Sequence, residues 1–193
     1  MLASRPLSLG VSRTKVMVEI SESYRGSGHY KWMRPTVDRL LQSLPPELLT
    51  GLGTIVLTDA QSIGPGKTQR VRGRKHHRNK CLGFYHHRTQ SEVAFIELVA
   101  DNIAPRVPRL LLHLKFFRDM FVSQTLFHEI GHHLDATAGS AARNGEVAAE
   151  DWCRRLSRMH FLKRYWYLKP LAKPGLMVIA VIRRLTSRLS GPA

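Results

Sequence analysis

Between residues 109 and 137 apolar side chains recur at helical spacing, and within that stretch stands His128-Glu129-Ile130-Gly131-His132. No other feature of the 193-residue chain restricts its fold so tightly. Residues four apart lie one turn apart on the same helix face, so a helix brings the imidazoles of His128 and His132 to one place. Phe127, Ile130 and Leu134 then form an apolar face that must be covered. Gly131 inside the helix costs about 1 kcal/mol relative to alanine. That cost is understandable where another element has to approach closely. His133, one turn from Glu129, reads as a solvated neighbour.

The pattern H-E-x-x-H carries a specific chemistry. Two imidazoles on one helix face can share a metal ion, and the acid beside the first can take a proton from water at that metal. A catalytic metal of this kind needs a third protein ligand and an open position. The metzincin pattern would require Gly at 135 and His at 138, and the chain has Asp135 and Ala138. After His133 there is no further histidine until His160. Downstream stands Gly145-Glu146-Val147-Ala148-Ala149-Glu150-Asp151-Trp152-Cys153, the start of a second helix with Glu146 and Glu150 one turn apart. One carboxylate can bind the metal, and the other can accept a hydrogen bond from a ligand imidazole and fix its tautomer. Glu150 and Asp151 are the alternatives to Glu146 as ligand. Cys153 reads as a small buried residue.

These residues together resemble the gluzincin metallopeptidases, which pair HExxH with ExxxD or ExxxE on the following helix. The run E-x-x-A-E-x-W-C from Glu146 to Cys153 is similar to the variant found in small cytoplasmic gluzincins, including those that cleave repressors. The resemblance covers about residues 80–160. It implies a zincin-like fold, one Zn2+ per chain held by His128, His132 and Glu146, Glu150 orienting a ligand histidine, and Glu129 as catalytic base. It also implies an edge strand that binds extended substrate, a role that falls in chain order to residues 93–99. The expected activity is a zinc-dependent endopeptidase acting on protein or peptide substrates. His29, Tyr85, His86 and His87 are candidates to stabilise the oxyanion, by chemistry alone.

The rest of the chain reads as strands first and helices after, which predicts an α+β fold with a small mixed or antiparallel sheet packed on the long helices. Strands are expected at 14–20, 54–57, 82–86 and 93–99, the last two able to pair as a hairpin. A short amphipathic helix is expected at 35–44, ended by Pro45-Pro46. The second long helix should run from about 145 to 168. Residues 60–80 read as a long polar loop. Within it, Gly64-Pro65-Gly66-Lys67-Thr68 fails as a P-loop because the position of the first glycine holds Gln61. Residues 1–168 are expected to form one domain, and 169–193 a basic amphipathic C-terminal segment.

The formal charge is +16, a property that bears on partners more than on fold. Arg70, Arg72, Arg74, Lys75, Arg78 and Lys80 cluster in one stretch, and residues 152–193 hold ten Lys/Arg and no acid. Segments 70–80 and 152–193 could therefore meet nucleic acid or another acidic partner, and the last could lie on an anionic membrane surface. A basic nucleic-acid-associated protein with a structural or degenerate zinc site is the alternative function. Two cysteines make no disulfide framework, and no secretory signal or bilayer-length apolar run is visible, so a cytoplasmic location is expected.

Overall fold

The computed structural model describes residues 18–26, 30–63, 68–71, 74–77, 80–90, 92–139 and 145–168. The architecture is α+β, as expected. A four-stranded mixed sheet packs against two long helices. The sheet has the order β1 (Glu19–Ser23), β2 (Leu52–Thr58), β6 (Ala94–Val99), β5 (Gly83–His86). β1 and β6 both run parallel to β2, while β5 runs antiparallel to β6. Parallel neighbours need a crossover connection. Between β1 and β2 it is supplied by α1 (Met33–Leu41) and a 3-10 turn at Pro46–Leu49. The helix begins two residues before the expected start, which places Pro35 in its first turn, where its missing N–H leaves no helical bond unmade.

β2 and β6 occupy the middle of the sheet, and their side chains show it. Ile55, Leu57, Ile96 and Leu98 are fully buried. β1 extends through Ser23, three residues past the expected end of the strand at Ile20; the expected strand residues 14–17 lie outside the described residues. The stretch read as a polar loop at 60–80 contains a short helix, α2 (Ala60–Ile63), and a separate hairpin of β3 (Thr68–Val71) and β4 (Arg74–His77). Hairpin strands without an apolar face carry no alternation in the sequence, which is why the pattern missed them.

After β6 comes a short helix α3 (Ala100–Ile103), then 3-10 turns at Ala104–Arg106 and Arg109–His113. The long helix α4 runs Lys115–Thr137, starting later than its apolar pattern because Leu114 is extended (φ −95°, ψ 119°). The apolar pattern thus spans a 3-10 turn and a helix. α5 runs Gly145–Arg164, followed by a 3-10 turn at Trp166–Leu168. Val122, Leu126, Phe127 and Ile130 of α4 meet Val37 and Leu40 of α1, Leu156 of α5 and the sheet in one core. Each such side chain contributes roughly 1.5–3 kcal/mol by leaving water.

Gly131 sits where α4 and α5 touch. A Cβ there would lie 2.6 Å from the Ala149 carbonyl oxygen and 2.8 Å from its Cα. The close approach expected from the sequence is therefore the second helix itself, and it is what brings the start of α5 alongside the HExxH turns. The C-terminal segment 169–193 and the connection at 140–144 lie outside the described residues. Among the described residues, no helix is long and apolar enough to cross a membrane.

Candidate metal centre

The HExxH residues lie in the last three turns of α4, with Phe127, Ile130 and Leu134 buried on one side and His128 and His132 on another. The two imidazoles stand face to edge, ring centroids 4.8 Å apart. Glu146, in the first turn of α5, faces both. Its Oε2 is 3.6 Å from His128 Nε2, and its Oε1 is 3.8 Å from His132 Nε2. One donor atom from each of the three residues lies within 4.8 Å of the others, so His128, His132 and Glu146 can hold a metal ion.

The donor set fits such an ion on two counts. A small divalent cation bound by nitrogen and oxygen at about 2.0–2.2 Å keeps tetrahedral neighbours roughly 3.3–3.6 Å apart. The separations here are close to that and too long for hydrogen bonds. The three side chains are also a quarter exposed (26%, 24% and 25%), so the site is open to solvent on one side. The His132 imidazole has its pKa pushed down, first by burial and then by the charge of His128, with Glu146 and Asp135 opposing. The neutral ring is the form that binds a metal.

Glu150 lies one turn further along α5. Its Oε2 is 3.9 Å from His128 Nδ1, beyond hydrogen-bond length, and its Oε1 is 3.5 Å from Arg154 Nη2. The resemblance implies a hydrogen bond from a ligand histidine to Glu150; here its carboxylate lies near the His128 ring without that bond and is shared with Arg154.

Glu129 lies on a different side of α4 and is only 8% exposed. Burial pushes its carboxyl up to about 8; a hydrogen bond from the Tyr85 backbone N–H opposes this, and the nearby Glu146 charge adds to it. The contact with β5 depends on Gly83. A Cβ there would come 2.9 Å from Thr125 Cγ2 and 3.1 Å from Glu129 Cγ. Any larger residue would lift the strand away from the acid.

The sheet corrects one expectation. Residues 93–99 do not form the edge strand beside α4: β6 is paired on both sides, by β2 and β5. The edge is β5, because the chain leaving it turns back into the sheet interior as β6. Main-chain groups in an antiparallel pair alternate between the partner and the free side. Val99 N–H bonds the Leu82 carbonyl, so Phe84 and His86 turn toward β6, and Gly83 and Tyr85 toward the free edge. The Tyr85 amide reaches Glu129 from that edge.

A second correction concerns His133, which is not solvated. It is 1% exposed. Its Nε2 lies 3.0 Å from the Thr50 carbonyl, and its Nδ1 3.2 Å from the Tyr85 hydroxyl. Its ring also meets the Tyr85 ring edge-on at 5.5 Å. Burial pushes the imidazole's pKa down, against the Thr50 hydrogen bond. A signal was present: Leu126, Ile130, His133 and Thr137 succeed one another at i+4, i+3 and i+4 along one face.

Of the four oxyanion candidates, His86 pairs with Glu97 at 2.8 Å and stacks on Phe95. Tyr85 turns its hydroxyl to His133. His87 is exposed, packs edge-on against Tyr85 at 4.8 Å, and lies close enough for its charge to lower the pKa of His132. His29 lies outside the described residues. Cys153 is buried, as expected, with its thiol 3.5 Å from the Gln124 carbonyl.

The chain matches no family model, no curated protein and no solved structure.

Proposed function

We propose that this chain is a zinc-dependent endopeptidase of gluzincin type, with His128, His132 and Glu146 as zinc ligands. The observation that carries the reading is the meeting of three donors from two helices, open to solvent, with a buried acid one residue from the first ligand. Two histidines and one glutamate are the ligand set of catalytic zinc in a class of peptidases. Bound zinc supplies Lewis acidity toward a carbonyl oxygen and makes water more acidic.

The chain's own residues do the rest. Glu129 takes the proton of the attacking water on a carboxylate oxygen and returns it to the leaving nitrogen. The packing of Gly83 and Tyr85 over Glu129 keeps bulk water from that carboxylate. The free edge of β5 offers main-chain groups to an extended peptide, the binding mode of strand addition. Glu150 orients the His128 ring through Nδ1 once Arg154 yields it. His87, exposed on the same side of Tyr85, is the group to stabilise the oxyanion.

Elemental analysis of protein purified without added metal tests the reading. Wild type should hold about one zinc per chain, the count of a single three-ligand site. Glu146→Ala should be folded and hold much less, and chelation should abolish cleavage of a peptide library. A folded wild type that takes up no zinc would remove the proposal.

A second reading rests on charge. Beyond Trp152, α5 exposes Arg154, Arg155, Arg158, Lys163 and Arg164 with no acid among them. That face can dock nucleic acid or another acidic partner through phosphate or carboxylate contacts, and together with residues 169–193 an anionic membrane surface. A salt-sensitive shift of DNA that is indifferent to zinc would favour a nucleic-acid-associated protein with a structural site.

A further inference from the structure

The peptidase reading leaves His133 and the Tyr85 hydroxyl without a part, yet both are tied to the acid that reading uses. The Thr50 carbonyl can only accept, so His133 Nε2 carries the hydrogen and donates to it at 3.0 Å. Nδ1 is then an acceptor, and the Tyr85 hydroxyl donates to it at 3.2 Å. The turn that offers the Thr50 carbonyl depends on Gly51, whose φ of 85° lies in the left-handed region; a Cβ built there would lie 3.8 Å from His133 Cε1. β5 thus meets α4 at two places. The Tyr85 side chain is held by His133, and two residues earlier the strand lies against Glu129, where a Cβ on Gly83 would come 3.1 Å from Glu129 Cγ. Glu129 and His133 are one turn apart, so the strand spans a single turn of the helix.

Resting on the peptidase reading, we infer that His133 and Tyr85 are positioning residues that clamp β5 to α4 and so hold the strand backbone from Gly83 to Tyr85 against Glu129. A carboxylate that must take and return a proton works only in one orientation, and an edge strand, paired on one side alone, has little else to fix it there. The buried imidazole supplies that fixing without touching the reacting atoms. It ties three segments that are far apart in sequence: the turn before β2, the edge strand and the HExxH helix.

The test compares Tyr85→Phe, which keeps the ring and removes one hydroxyl, with His133→Phe and His133→Gln. A carboxamide at 133 can donate to Thr50 and accept from Tyr85, so His133→Gln should restore what His133→Phe loses. In Tyr85→Phe, kcat should fall about 10- to 100-fold, with KM and zinc content near wild type. The backbone amide of position 85 should exchange with solvent about tenfold faster. Tyr85→Phe with wild-type kcat and an unchanged amide overturns the inference, and it does so even if His133→Phe fails to fold. Failure of wild type to cleave any peptide with zinc bound sinks the peptidase reading and the inference with it. Cleavage by wild type together with the unchanged variant sinks the inference alone.

Discussion

α4 carries two clusters of histidine and carboxylate, and they are built to opposite ends. At the C-terminal turns His128, His132 and Glu146 face one another across 3.6 and 3.8 Å, a quarter exposed. At the N-terminal turns Asp119 is fully buried, with His160 of α5 also fully buried. There the distances are those of hydrogen bonds. The Arg39 guanidinium forks onto the Asp119 carboxylate, the Tyr165 hydroxyl donates at 2.6 Å, and His160 Nε2 lies at 3.3 Å. The clusters are nine to thirteen residues apart on one helix, about 14–20 Å. Residue type does not separate them. Donor spacing and access to solvent do: gaps the width of an ion at one end, completed hydrogen bonds at the other.

The buried cluster even contains a serine, histidine and aspartate in series, since Ser43 Oγ lies 2.7 Å from His160 Nδ1. It is not a nucleophile's site. The Ser43 hydroxyl donates to the Leu40 carbonyl at 2.6 Å. The amides of Ser43 and Leu44 are spent on Leu40 and Leu41, and Pro45 and Pro46 have none, so this turn has no backbone donor left for an oxyanion. This network joins α1, α4 and α5 and belongs to the fold.

The contrast can be broken from either end. The largest effect is expected for Glu129→Gln, with a loss of about 10²–10⁴-fold in peptide cleavage. Zinc content and melting temperature should stay close to wild type; a substantial fall in melting temperature would move Glu129 into the structural class. Asp119→Ala should do the reverse. Leaving Arg39, His160 and Tyr165 without their common acceptor should cost about 3–5 kcal/mol in denaturant unfolding. The protein that remains folded should bind zinc as before, and weakened binding would show the two ends to be coupled.

Acid should act through the buried end as well. Burial alone would raise the Asp119 carboxyl, but hydrogen bonds from His160, Arg39 and Tyr165 outweigh it and hold the group down at about 2. An unfolded aspartate titrates near ~3.9. The stability this depressed pKa lends is therefore complete above that value and is lost as pH falls from it toward about 2. Unfolding measured across this window should steepen in wild type and flatten in Asp119→Asn. The smallest effect is expected at Glu150, whose carboxylate stands 3.9 Å from the His128 imidazole. Glu150→Gln should weaken zinc affinity about 10–100-fold in a chelator competition, and no change would assign Glu150 to Arg154 alone.

The candidate site was legible because its residues are local. His128, Glu129 and His132 share a few turns of one helix, and Glu146 and Glu150 come on the next. Gly131 announced the helix contact that unites them. The clamp on β5 was less legible, since Thr50, Tyr85 and His133 come from three separate segments and only the periodicity of α4 hinted that His133 turns inward. The buried network was not legible at all: Arg39 and Asp119 are eighty residues apart, and nothing near either in the chain points to the other.

The sequence by itself determined the three longer helices, the two central strands and the turns that carry His128, His132 and Glu146, because periodicity and i, i+4 spacing are properties of neighbouring residues. Tertiary structure alone decided that β5 rather than β6 forms the edge, that the sheet is mixed, and which of two histidine–carboxylate clusters stays open to a metal. Strand order and donor spacing depend on contacts between distant segments, and those are set by packing the whole core at once rather than by any local run of residues.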